Sequence, residues 1–424
     1  MRKFLHTMTV VSLLLSSCSQ SLEDKVAQRY AGDCPIYPDY MNVTVPVNIA
    51  PLNFDYTTPE AEDAVTTFTG NGMSVTFKGP RIRWNAGKWR KILSASANGE
   101  INVRCSSPDT SWVLYVSADE IDYGLTYRLI EPGYELYSKM GIYERELGSF
   151  KEKALIENTE FSGCVNCHAT NRGEPSQYSL HIRGDHGATL LQLQGKLDAY
   201  NTKTDSTLGF CVYPYWHPDG KYIVFSTNTT RQSFHVAKEK RIEVFDEASD
   251  LQIYDAEQHK LILSPLIMQK GSNETFPAFS PDGKTIYFCT ATKRDNPNET
   301  CDIRYDLCSI GFDAATGLCG NKVDTLVIAS RDSMSISIPK PSYDGRWLMY
   351  TLADYGTFPI WHKEADLWLL DLTTNQARPL TEANSSDTES YHNWSQNSQW
   401  FVFSSRRDGG GLYTRLYLSS IDKN

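Results

Sequence analysis

One segment recurs four times in this chain and limits what it can fold into. Trp216-His217-Pro218-Asp219-Gly220-Lys221-Tyr222-Ile223-Val224-Phe225-Ser226 returns as Phe279-Ser280-Pro281-Asp282-Gly283-Lys284-Thr285-Ile286-Tyr287-Phe288-Cys289. It returns again as Pro341-Ser342-Tyr343-Asp344-Gly345-Arg346-Trp347-Leu348-Met349-Tyr350-Thr351, and more loosely from Trp394 to Ser404. The Asp or Asn of the turn falls at 219, 282, 344 and 397, so the spacings are 63, 62 and 53 residues. Pro-Asp-Gly is turn chemistry: Pro presets φ, Asp bonds its own backbone and Gly takes the unusual torsion. The apolar, β-branched and aromatic run after it reads as a buried strand. Further strand patterns, such as Leu251–Asp255 and Leu367–Leu372, fill each unit. A period of this length with several strands per unit predicts a propeller of four-stranded blades.

These residues resemble the TolB-like propeller family, whose blades carry a W/F-S-P-D-G-K-x-I-x-F-S motif. The resemblance covers about half of the chain, from Phe210 to Asn424. It implies a docking platform and no catalytic reaction, because such propellers serve many purposes.

Cys164-Val165-Asn166-Cys167-His168 is the second signal. Two thiols three residues apart with an imidazole directly after the second is the attachment pattern of a c-type haem. The sulfurs would hold the porphyrin and His168 would ligate the iron. Zinc would want a second close pair, and Cys211, Cys289, Cys301, Cys308 and Cys319 offer none. A disulfide or a redox pair stays open as an alternative. A six-coordinate haem needs another ligand; His181 ranks first, then His217, His235, His392, His186, His362 and Met140. Arg172 and Arg183 are candidates for the propionates, because Arg binds carboxylates in a bidentate way. Together with the lipobox below, and with Tyr213–Pro218 and Tyr391–Ser395, the pattern looks like bacterial envelope proteins named TolB-like or cytochrome-c-type. That resemblance implies one covalent haem beside a propeller.

Arg2 and Lys3 precede an apolar stretch, Val10–Leu15, closed by Leu15-Ser16-Ser17-Cys18. This reads as a lipoprotein signal, with Cys18 as the lipidated first mature residue. The expected address is the bacterial envelope, lipid-anchored on the outer membrane. A formal charge of −10 without basic runs argues against nucleic acid as a partner. The expected partner is instead an unidentified envelope or redox protein. Seven cysteines remain once Cys18, Cys164 and Cys167 are set aside, an odd number, so at least one is free or intermolecular. Cys301, Cys308 and Cys319 lie close enough in sequence to supply a pair.

The expected architecture is all-β. A signal (1–17) and tether (18–33) lead to a small β-sandwich-like domain at 34–125, or a degenerate first blade around Ser107-Pro108-Asp109. An irregular haem-attachment segment follows at 126–177, then the propeller at 178–424. With half a repeat left at the C-terminus, Tyr178–Arg183 and Ala188–Leu193 are candidates to complete the last blade. No nucleophile elbow, phosphate-binding glycine loop or metalloprotease motif occurs. The functional reading is therefore electron transfer or redox sensing. The alternatives are an interaction scaffold with structural Cys164 and Cys167, and a haem peroxidase-like enzyme.

Overall fold

The computed structural model describes residues 34–130, 139–160, 163–234, 242–294, 303–407 and 413–421. The readings at Cys18, His235 and Cys301 lie outside them. From Gly124 onward the chain forms six consecutive antiparallel sheets, here blades 1 to 6. Blade 1 comprises Gly124–Ile130, Met140–Glu146 and Glu152–Glu157. Blade 2 comprises Cys164–Asn171, Glu174–Arg183, Ala188–Leu193 and Lys196–Tyr200. Blades 3, 4 and 5 also have four strands; their inner strands are Cys211–Trp216, Ser272–Phe279 and Ser335–Pro341. Blade 6 comprises Glu389–Trp394, Trp400–Ser405 and Arg415–Ser420. The molecule is a β-propeller.

The recurring turn joins the first and second strand of blades 3 to 6, and one bonding pattern repeats. Gly220, Gly283, Gly345 and Ser398 each donate N–H to the carbonyl three residues back, at 2.9–3.0 Å. All four take positive φ, from 57° to 78°, which glycine accepts without a Cβ clash. The Asp or Asn side chain accepts from the N–H two residues on: Lys221 at 2.8 Å and Lys284, Arg346 and Gln399 at 3.1 Å. The strand behind each turn is buried on both faces because the next blade covers it. Successive apolar clusters fill every gap from blade 1 to blade 6, for example Ile142 with Val165 and Leu180, and Met349 with Trp394 and Phe401.

Two sequence expectations change here. Cys164–His168 is not irregular: it opens the inner strand of blade 2, so the boundary expected at 177/178 falls inside that blade's second strand. Tyr178–Arg183 and Ala188–Leu193 belong to that same blade and do not complete the last one, which has three strands among the described residues. The physical reason is the turn. Asn171-Arg172-Gly173-Glu174 replaces Pro-Asp-Gly, with positive φ at both central residues (50° and 73°), the geometry that two-residue hairpins favour. It makes the same reversal from a different sequence.

Ahead of the propeller, residues 36–117 build their own core from a five-stranded and a three-stranded sheet around one helix, α1 (Ala86–Ala95). Ser107-Pro108 turns a hairpin inside this domain, between Gly99–Ser106 and Asp109–Ser117, and is no part of a blade. The side chain of Asn85 caps α1, accepting from Gly87 N at 3.0 Å and Lys88 N at 3.2 Å. Trp89, Ile92 and Leu93 are its buried face, at the i, i+3, i+4 spacing. Asn85→Ala should lower this domain's stability by about 1 kcal/mol, read as a shift of its denaturant midpoint. The two units meet where blade 6 touches the connecting segment: Trp400 Nε1 donates to Asp119 O (3.3 Å) and Asn397 Nδ2 to Glu120 O (2.7 Å).

Candidate functional site at the propeller axis

Each inner strand of blades 2 to 6 shares one register break, and blade 2 has a second at Thr170/Asn171. The shared breaks lie at Asn166/Ala169, Val212/Tyr215, Thr275/Ala278, Ser337/Lys340 and Ser390/Asn393. The residue that starts each bulge has a positive φ: Cys167 (49°), Tyr213 (49°), Phe276 (51°), Ile338 (54°) and Tyr391 (48°). Left-handed backbone is costly for aromatic and β-branched side chains, so its repetition in five blades marks a built feature. Phe276 and Ile338 are buried with Tyr213 and Tyr391 packed on them, and the Tyr213 and Phe276 rings lie 4.4 Å apart. Cys167 is 9 % exposed and neighbours both tyrosines. These five residues form a layer across the axis.

The next residue in four of these strands is Pro214, Pro277, Pro339 or His392; in blade 2 it is His168. His168 therefore holds a standard repeat position. Its ring lies by the carbonyl of Thr126 and near the cations of Arg128 and Lys340. Burial first, and those positive charges second, lower its pKa, so the imidazole is neutral at pH 7. Arg128 Nη2 lies 3.2 Å from Cys164 Sγ and 3.8 Å from Met140 Sδ. Arg183 is the register partner of Cys164, and its guanidinium neighbours both Cys164 and Cys167. Arg172 caps the turn side: it donates to Pro281 O, lies 5.9 Å over the Tyr343 ring, and its carbonyl accepts from Gln396 Nε2. On the other side of the layer, Asp246 accepts from Asn228 (2.9 Å), Thr357 (3.1 Å) and Tyr305 (3.2 Å), and burial raises its carboxyl pKa.

The structure thus brings Cys164, Cys167, His168, Arg183 and Arg172 to the axis, with Met140 close to Cys164. The remaining histidines are engaged elsewhere. His181, 1 % exposed, bonds Thr189 Oγ1 at 3.2 Å and packs on Phe210, and burial lowers its pKa to about 4. His217 bonds Gly283 O at 3.1 Å, and His392 bonds Met349 O at 3.0 Å. His362 packs against the Tyr355 ring at 4.5 Å, and His186 is exposed in a turn. Cys308 and Cys319 are free thiols. Among the described residues no group of three or more His, Cys, Asp or Glu side chains is placed to hold a metal ion, and no helix is long and apolar enough to cross a membrane. Residue-by-residue reading missed Arg128 and Lys340. It also missed the axial layer, although Tyr213, Phe276, Ile338 and Tyr391 each stand six residues before the turn Asp or Asn.

No family model matches this chain, and no curated protein matches it. Solved structures do resemble it. The β-propeller domain of Cps50 (Swd1) from Myceliophteria thermophila aligns with a TM-score of 0.41 at 10 % identity, covering 77 % of this chain and 92 % of that one. A structure of the COPII outer coat vertex on membranes gives 0.42 at 9 % identity, over 78 % of each chain. Oligogalacturonate lyase from Vibrio parahaemolyticus gives 0.35 at 11 % identity, over 67 % of this chain and 84 % of that one. At such identities the likeness concerns fold alone.

Proposed function

We propose that this chain is a TolB-like envelope lipoprotein that carries one covalent c-type haem at the propeller axis, for electron transfer or redox sensing with a docked redox protein. One observation carries the reading: both thiols of the C-x-x-C-H segment adjoin the same guanidinium, Arg183, with His168 directly following. The donor set fits the group. Cys164 and Cys167 supply two thiols for thioether bonds, His168 supplies a neutral imidazole for iron, and Arg183 and Arg172 supply cations for the propionates. The haem would contribute a one-electron redox centre. Arg128 and Arg183 hold positive charge beside it, which favours the reduced state, while Tyr213 and Tyr391 shield Cys167 from water. The propeller's outer face is left to the partner. Lipid on Cys18 would supply the membrane anchor.

The test is a pyridine haemochrome spectrum of the full chain made with cytochrome c maturation machinery. One haem per chain is expected, falling to none in Cys164→Ser/Cys167→Ser. Absence of covalent haem in the unsubstituted chain sinks the proposal.

A second reading has its own observation. Cys164–His168 fills the inner-strand positions that Phe210–Pro214 and Asn273–Pro277 fill in the next two blades, so strand geometry alone accounts for its shape. The chain is then an interaction scaffold, and Cys164→Ser/Cys167→Ser leaves partner binding and stability nearly unchanged.

A further inference from the structure

Above the axial layer, cations close in on one spot from three sides. Its floor is the layer of Cys167, Tyr213, Phe276, Ile338 and Tyr391, and its roof is Arg172 reaching across to Pro281 and Tyr343. Lys340 enters from blade 5, two residues past the bulge, and its Nζ stands 4.7 Å over the ring of Tyr215 from blade 3. Arg128 enters from blade 1, facing His168 and Tyr391. Among the described residues no acidic side chain forms an ion pair with Lys340, Arg128 or Arg172. The Nε of Arg128 is buried with no hydrogen-bond partner. Asp122, on the roof side, is taken by the backbone N–H of Gln396 at 3.0 Å.

Burying cations without counter-charges is costly. Here the cost falls on Lys340 and on the buried Nε of Arg128, with exposed Arg172 as a third cation beside them, in a chain whose formal charge is −10. Clustered charge of a single sign adds up to a strong local field. We infer that this cation cluster binds a small oxyanion. Arg128 and Arg172 would offer planar guanidinium donors and Lys340 a point charge, the division of labour that suits phosphate or carboxylate. His168 would offer a hydrogen bond and no net charge.

Burial alone lowers the Lys340 pKa to about 8, as fits an ammonium without a partner; a bound anion would raise it. Arg172 and His168 also belong to the haem-binding set, but the inference needs no haem, and Lys340 lies outside that set. It is tested on the full chain made without haem maturation, so its failure and the failure of the haem proposal are separate results.

Isothermal titration with inorganic phosphate, and in parallel with succinate, is the experiment. Binding of at least one in the submillimolar range is expected, and the tighter of the two tells phosphate from carboxylate. Lys340→Met should weaken it at least about tenfold. Arg172→Gln, on the exposed roof, should weaken it by several-fold and guards against misfolding of the first variant. Lys322→Met, which removes a surface ion pair with Asp324, should leave it unchanged. No binding of either anion, or equal affinity in the unsubstituted chain and both cluster variants, overturns the inference.

Discussion

Arg407→Met should destabilise the propeller by about 3–5 kcal/mol, the largest loss expected from a single substitution discussed here. Glu389, fully buried on the inner strand of blade 6, is the reason. Its Oε1 accepts from Arg407 Nη2 at 2.9 Å and from Ser385 Oγ and Ser405 Oγ at 2.7 Å each, while Oε2 accepts from Ser385 N at 2.9 Å. Removing the guanidinium leaves a buried carboxylate with hydroxyl and amide donors and no cation. Arg407 also donates to Ala383 O, so a loop contact is lost with it. Urea unfolding followed on the propeller's transition reads the effect. Glu389→Met/Arg407→Met should recover part of the loss, because no uncompensated charge then remains. A single-variant cost below about 1 kcal/mol would show that the pair is exposed in solution.

Raising the pH from 5 to 8 should destabilise blade 4 through Glu274, and Glu274→Gln should abolish that loss. Glu274 stands at the same register position in its blade as Glu389 does in blade 6, each one residue before the Thr or Ser at the bulge. It has no arginine. Ser272 Oγ and Gln269 N donate to it, but burial dominates and Asp250 adds repulsion, pushing its pKa up to about 7 from the usual 4.5. A folded-state value above the unfolded one means that the folded protein binds the proton more tightly. Stability at this site is therefore greatest below about pH 4.5 and is lost as pH rises to about 7, where the full penalty is in place. The penalty amounts to about 3 kcal/mol at most. Glu274→Gln should be more stable than the unsubstituted chain by a large part of that at pH 8, and by less than about 1 kcal/mol at pH 5. Chemical denaturation at both pH values decides it; a pH-independent difference would mean that the carboxyl is already ionised and solvated in the fold.

The contrast between Glu274 and Glu389 also shows where sequence reading reaches its end. Both glutamates occupy one position of the repeat, yet blade 6 has Arg407, two residues past its second strand, where blade 4 has Thr292. The partner, not the position, sets the electrostatics. In the same way, blades 3 to 6 were legible because Pro-Asp-Gly chemistry is local: four residues carry the reversal and the apolar run after it is covered by the next blade. Blade 2 was not legible, because Arg172-Gly173 makes its turn with two left-handed residues and no Pro or Asp. Its strands were accordingly read as an attachment segment and a closing strand.

Sequence by itself determined the all-β class, the repeat and the turn geometry, and it supplied the groups on which the haem proposal rests: Cys164, Cys167, His168 and Arg183. Local hydrogen bonding and side-chain type suffice for each of these. Tertiary structure decided that Cys164–His168 is an inner strand, that His181 is bonded to Thr189, and that five bulges close a layer across the axis. It also decided that Arg128, Arg172 and Lys340 meet there, although more than 200 residues separate the first from the last. No local rule encodes that meeting; a ring of blades brings every inner strand to one axis, whatever its distance along the chain.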